Sequence, residues 1–115
     1  MPIRAQLYGT LLAYFLVWNL PAFPQTAAGV TGAVTDESGG RVAGVTVIIT
    51  NVETTLQRET VSDDSGFYQF PVVQPGSYSV TAKKAGFRQV TGEGLRLEVN
   101  QRASVDFTMQ VGAIT

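Results

Sequence analysis

An all-β fold of stacked antiparallel sheets is predicted for the chain from Gly29 onward, on three observations. Apolar and polar residues alternate with a period of two, no segment keeps a 3.6-residue period, and turn residues punctuate the sequence at near-regular spacing. Loops this short leave no room for the crossovers that parallel neighbours in sequence would need.

The strands can be taken in order. Val30 to Thr35 is a short candidate, closed by the turn residues Asp36-Glu37-Ser38-Gly39-Gly40. In Val45 to Thr50, Val45, Val47 and Ile49 share one face, and Thr46, Ile48 and Thr50 share the other. Leu56 to Ser62 and Phe67 to Phe70 flank the turn Asp63-Asp64-Ser65-Gly66. Gln74-Pro75-Gly76 precedes Ser77 to Ala82, where Tyr78, Val80 and Ala82 alternate with Ser77, Ser79 and Thr81. After Ala85-Gly86 comes a short candidate from Phe87 to Thr91, then a strand in which Leu95, Leu97 and Val99 alternate with Arg96 and Glu98. Asn100-Gln101 turns the chain into the last strand, with Ala103, Val105, Phe107 and Met109 on one face. Two such sheets bury their apolar faces in one core about 10 Å thick. Tyr68, Phe70, Tyr78, Phe87 and Phe107 are expected to fill most of its aromatic volume.

Residues 1–28 differ in kind. Arg4 is their sole charge, an apolar run extends from Leu7 to Leu20, and Pro21 and Pro24 stop any helix. Thr26 and Ala28 stand at the −3 and −1 spacing of a signal peptidase site. A basic start, a short apolar centre and a small-residue exit describe a secretory signal peptide. Cleavage is expected after Ala28, with an earlier cut between Pro24 and Ala27 as the alternative. The apolar run is shorter than the ~20 residues of a spanning helix, so no membrane span is expected in the mature chain. The division is therefore a leader (1–28), one domain (29–110) and a tail (111–115).

Composition restricts the chemistry. Net charge is −1 with neither sign clustered, which argues against nucleic acid as a partner. There is no cysteine, hence no disulfide or thiolate metal site. There is no histidine, the commonest general base and metal ligand.

Two stretches resemble a known family. Gly32-Ala33-Val34-Thr35-Asp36, then Gly40, Val42 and Gly44-Val45-Thr46-Val47, is similar to the opening of carboxypeptidase-regulatory-like domains. Asp63-Asp64-Ser65-Gly66-Phe67-Tyr68-Gln69-Phe70, then Val73-Gln74-Pro75-Gly76-Ser77-Tyr78-Ser79-Val80 and Gly86-Phe87, resembles that family's second signature. The resemblance implies a seven-stranded antiparallel Greek-key β-sandwich of transthyretin or immunoglobulin type. It also implies a non-catalytic accessory role, as in domains beside peptidases, in surface proteins, and at the N-termini of TonB-dependent outer-membrane receptors. A leader followed directly by this domain looks most like the last context. The expected place is the periplasm, outer membrane or cell surface. The expected partner is another protein or a receptor barrel in cis, and the alternative is a free-standing module that binds protein or carbohydrate.

No catalytic, cofactor or metal residue is assigned. Ser38, Ser65, Ser77 and Ser79 with Lys83 and Lys84 exhaust the hydroxyl–amine pairs weighed, and each serine has an ordinary place in a turn or strand. Asp36-Glu37 and Asp63-Asp64 lack the spaced oxygen pattern of a calcium loop and read as solvated turn acids; only if the two loops met at one end of the sandwich would they make a weak shared site. Binding is the positive expectation, through Ile48, through Lys83-Lys84-Ala85-Gly86 with Arg88, or through Thr91-Gly92-Glu93-Gly94. A spacer with no specific ligand is the competing one.

Overall fold

The computed structural model describes residues 27–112. The leader assigned to residues 1–28, apart from its last two residues, and the end of the tail lie outside them. Eight strands and no helix make up the described chain: β1 (Ala28–Asp36), β2 (Thr46–Asn51), β3 (Gln57–Val61), β4 (Phe67–Val73), β5 (Gly76–Lys83), β6 (Val90–Leu97), β7 (Arg102–Ser104) and β8 (Phe107–Met109). One sheet has the order β4-β1-β7, with β8 also paired to β1; the other has the order β3-β2-β5-β6. β7 and β8 are two pieces of one interrupted strand, so the expected seven-stranded sandwich holds.

The first sheet is mixed rather than purely antiparallel. β1 pairs antiparallel with β4 but parallel with β7 and β8. The short-loop argument does not reach this pairing, because the chain between β1 and β7 is nearly the whole domain. The break in the last strand has a cause as well. At Asp106 the side chain, not the main chain, accepts the Ala33 N–H, at 2.9 Å. The Val105 N–H donates to Thr31 O at 2.8 Å, so the ladder is kept while the backbone detours.

Period-two alternation placed the core correctly. Val45, Val47 and Ile49 from β2 and its approach meet Tyr78, Val80 and Ala82 of β5, and face Val30, Val34, Tyr68 and Phe70 of the other sheet. Each fully buried valine or isoleucine among them contributes about 1.5–3 kcal/mol relative to exposure. Phe107 and Met109 close one end of the core, while Phe87 is only partly buried against it.

Three local expectations change. Thr91-Gly92-Glu93-Gly94 is no loop but the middle of β6, held to β5 with a register shift between Tyr78 and Val80. Glycine tolerates that bulge, and Gly94 turns through φ 77°. Phe87 makes a single bridge to Val111 rather than starting a strand. Val99 leaves the alternation of Leu95 and Leu97 and stands 55% exposed. Its segment is a turn in which the Glu98 N–H donates to Gln101 Oε1 at 2.8 Å, with Asn100 at φ 60°.

Candidate functional site

The residues singled out from sequence can now be placed. Asp36 closes its own turn: one carboxylate oxygen accepts from Ser38 N (3.0 Å), Ser38 Oγ (2.5 Å) and Gly40 N (2.9 Å). The Ser38 hydroxyl and then the Gly40 amide hold its pKa below the ordinary carboxylate value. Asp63 does the same at the β3–β4 turn, accepting from Ser65 N (2.9 Å) and Phe67 N (3.0 Å). Both carboxylates are committed to local backbone. Among the described residues no three His, Cys, Asp or Glu side chains gather as a metal would require.

The hydroxyl–amine pairs are not brought together. Ser38 bonds Asp36, and Ser77 Oγ accepts from Arg96 Nη1 at 3.1 Å. Lys84 Nζ donates to Ala43 O at 2.6 Å, at the far end of β5 from Ser77. Ile48, expected on an open face, is half-buried on β2.

The structure offers instead a seam that sequence reasoning missed. β3 and β4 are edge strands of different sheets, on the same flank of the sandwich. Between them, a groove of about 470 Å³ opens at the end where β2 turns into β3 and β4 into β5. Ile49, Leu56, Val72 and Tyr78 give it apolar walls, and Arg58 lies across it.

Local chemistry builds this groove. Asn51 Oδ1 accepts from Glu53 N (2.9 Å) and Thr54 N (3.0 Å), an Asx turn that ends β2. Thr55, at φ 61°, then reverses the chain and presents Leu56 at the rim, 73% exposed. The Arg58 guanidinium donates to the Val72 carbonyl and stands 5.8 Å from the centre of the Phe70 ring. It ties the two sheets together where neither strand pairs with the other. Tyr78 donates to Gln74 O at 2.6 Å and fixes the β4–β5 turn. A second opening further along the same seam is lined by Thr60, Val61 and Phe67.

The described residues form a β-sandwich in which Asp36 and Asp63 are spent on turns and Leu56, Val61, Phe67 and Val72 stand exposed along one flank. The carboxypeptidase regulatory-like domain model matches residues 29–110. The chain belongs to that family.

Other likenesses are consistent with this carboxypeptidase-regulatory-like domain. The TonB-dependent transporter Oar of Myxococcus xanthus is 28% identical over 100 residues, covering 85% of this chain and 9% of the transporter. The chain thus spans about a tenth of that relative. Among solved structures, catechol 1,2-dioxygenase from Pseudomonas arvilla C-1 superposes with a TM-score of 0.61 at 15% identity, over 81% of this chain and 55% of the enzyme. A putative carbohydrate-binding protein from Bacteroides uniformis gives 0.60 at 17% identity, over 76% and 42%. Likeness at such identity is one of fold alone.

Proposed function

We propose that this carboxypeptidase-regulatory-like domain is a non-catalytic accessory module of an exported envelope protein, standing in line at the N-terminal side of a TonB-dependent outer-membrane receptor. One geometric observation carries the reading. β1 runs parallel to β8, so the domain is entered at one end of the sandwich and left at the other. A module so built strings in series between other parts of a chain without folding back on itself. The alignment with the transporter, over 85% of this chain, supports the same context.

The non-catalytic half of the reading rests on residues present. Asp36, Asp63 and Ser38 are engaged in turn closure. The chain has no histidine or cysteine to serve as base, nucleophile or soft ligand. The alternative, a free-standing module that binds protein or carbohydrate, draws on the apolar seam. The nucleotide sequence after the codon for Thr115 separates the two. An open frame with plug-and-barrel patterning is expected; a clean stop, with a promoter of the gene's own, favours the free-standing module.

A further inference from the structure

The four sheet edges of the sandwich are unequal. β4 contains Pro71, which has no N–H to offer, and its pairing with β1 shifts register between Ala28 and Val30. The β7–β8 edge is broken at Val105 and Asp106. β6 is interrupted by its own register shift and by Gly94. β3 alone among the described strands is an unbroken edge, in register with β2 from Gln57 to Val61.

Hydrogen-bond parity decides which way its backbone points. Asn51 N donates to Leu56 O at 2.9 Å, and Ser62 N donates to Val45 O at 2.9 Å. In an antiparallel ladder bonded residues alternate, so Leu56, Arg58, Thr60 and Ser62 face β2. The N–H and C=O groups of Gln57, Glu59 and Val61 therefore face away from the sheet, and nothing else in the described domain bonds them. Such a row is a template for another strand.

The surroundings specify the strand. Leu56 and Val72 at one end of the seam are 73% and 57% exposed, and Val61 and Phe67 at the other are 57% and 49% exposed. An added strand would lay alternate side chains over Leu56 and Val72 and the rest beside Gln57, Glu59 and Val61. Glu59 forms no ion pair among the described residues.

We propose that the outer edge of β3 takes up an extended strand of a partner polypeptide, apolar at alternate positions with a basic residue opposite Glu59. A second copy of this chain is the poorer occupant. Two β3 strands paired antiparallel about Glu59 set carboxylate against carboxylate, and paired about Arg58 they set guanidinium against guanidinium. The inference rests on the reading of the domain as an accessory interaction module, but its test uses the purified chain and does not depend on cellular location.

The test is amide hydrogen exchange on the full chain with a short synthetic peptide, alternating valine and threonine around one central lysine. The peptide is expected to slow exchange at Glu59 and Val61 by about tenfold or more. Glu59→Lys should lose that protection and regain it with a peptide carrying central glutamate. Glu59→Pro removes an outward N–H without touching the β2 ladder, and should abolish protection with either peptide. Protection at another edge, no protection at millimolar peptide, or protection that survives Glu59→Pro overturns the proposal. Protection that rises with chain concentration in the absence of peptide assigns the edge to a second copy and overturns it equally.

Discussion

The Tyr68 hydroxyl donates to the Val105 carbonyl directly over Gly32, and so ties β4 to the point where the last strand breaks. The path is open because residue 32 lacks a side chain. A Cβ there would lie 1.8 Å from Val105 O and 2.6 Å from the Tyr68 hydroxyl. Tyr68→Phe is expected to cost about 1–3 kcal/mol, since it leaves a sheltered carbonyl without its donor. Gly32→Ala should cost at least as much, because a backbone oxygen must move. Urea unfolding of the two variants against the parent checks both.

The same hydroxyl predicts an alkaline limit. Burial first, and the Asp106 charge second, push the Tyr68 pKa well above its ordinary value. A group whose folded pKa is raised contributes stability that is fully present below its unfolded pKa, about 10, and is lost as pH rises toward the folded value. Stability measured from pH 9 to pH 12 should therefore fall, and fall less steeply in Tyr68→Phe. Equal slopes in the two proteins would remove Tyr68 as the cause.

Gly66 closes the Asp63 turn at φ 77°, with Val34 O 2.7 Å from where a Cβ would stand. Gly66→Ala meets both backbone strain and a clash with a β1 carbonyl. Its expected cost is about 2–4 kcal/mol, read as a lowered denaturation midpoint at unchanged slope. Gly39, also at positive φ, has open space around it, so Gly39→Ala should cost only about 1 kcal/mol.

Among the described residues Ser62 is the buried polar one, and its hydroxyl is fully used. Its hydroxyl donates to Val42 O (2.8 Å) and accepts from Val45 N (2.9 Å), pinning the approach to β2 against the end of β3. Ser62→Ala strands both groups and is expected to cost about 1–3 kcal/mol, with Ser62→Thr recovering part of it. Thermal melting of the three proteins measures the difference.

The start of the domain bears on its processing. Ala28 is fully buried and paired with Val73, and the Gly29 N–H donates to Gln101 O at 2.9 Å. Cleavage after Ala28 would discard a core residue and place a charged ammonium at a buried position. If the proposed leader is removed, the cut is therefore expected upstream of Ala28, between Pro24 and Ala27. Intact-mass measurement of the exported protein reads the position directly.

Much of this architecture was legible because it depends on local chemistry. Alternation in β2 and β5 gave both strand and buried face, since each has one wet and one dry side. Asp63 to Gly66 and Pro75-Gly76 announced their turns through residues that few other conformations favour. The Thr91 to Gly94 segment was misread because its glycines suit a loop by propensity, whereas the ladder with β5 decides their conformation. Parallel pairing of β1 with β8 was invisible, as it joins residues more than seventy positions apart. The β3–β4 seam escaped for a related reason. Leu56, Arg58 and Val72 are unremarkable in sequence and acquire meaning only when two edge strands meet on one flank.

Whether the domain stands in line with an outer-membrane receptor can be read by fractionating the source cells and probing with an antibody raised against residues 29–110. The antibody is expected to detect a polypeptide far larger than this chain, in the outer-membrane fraction. A band at the size of the lone domain in the cytoplasmic fraction would contradict that placement.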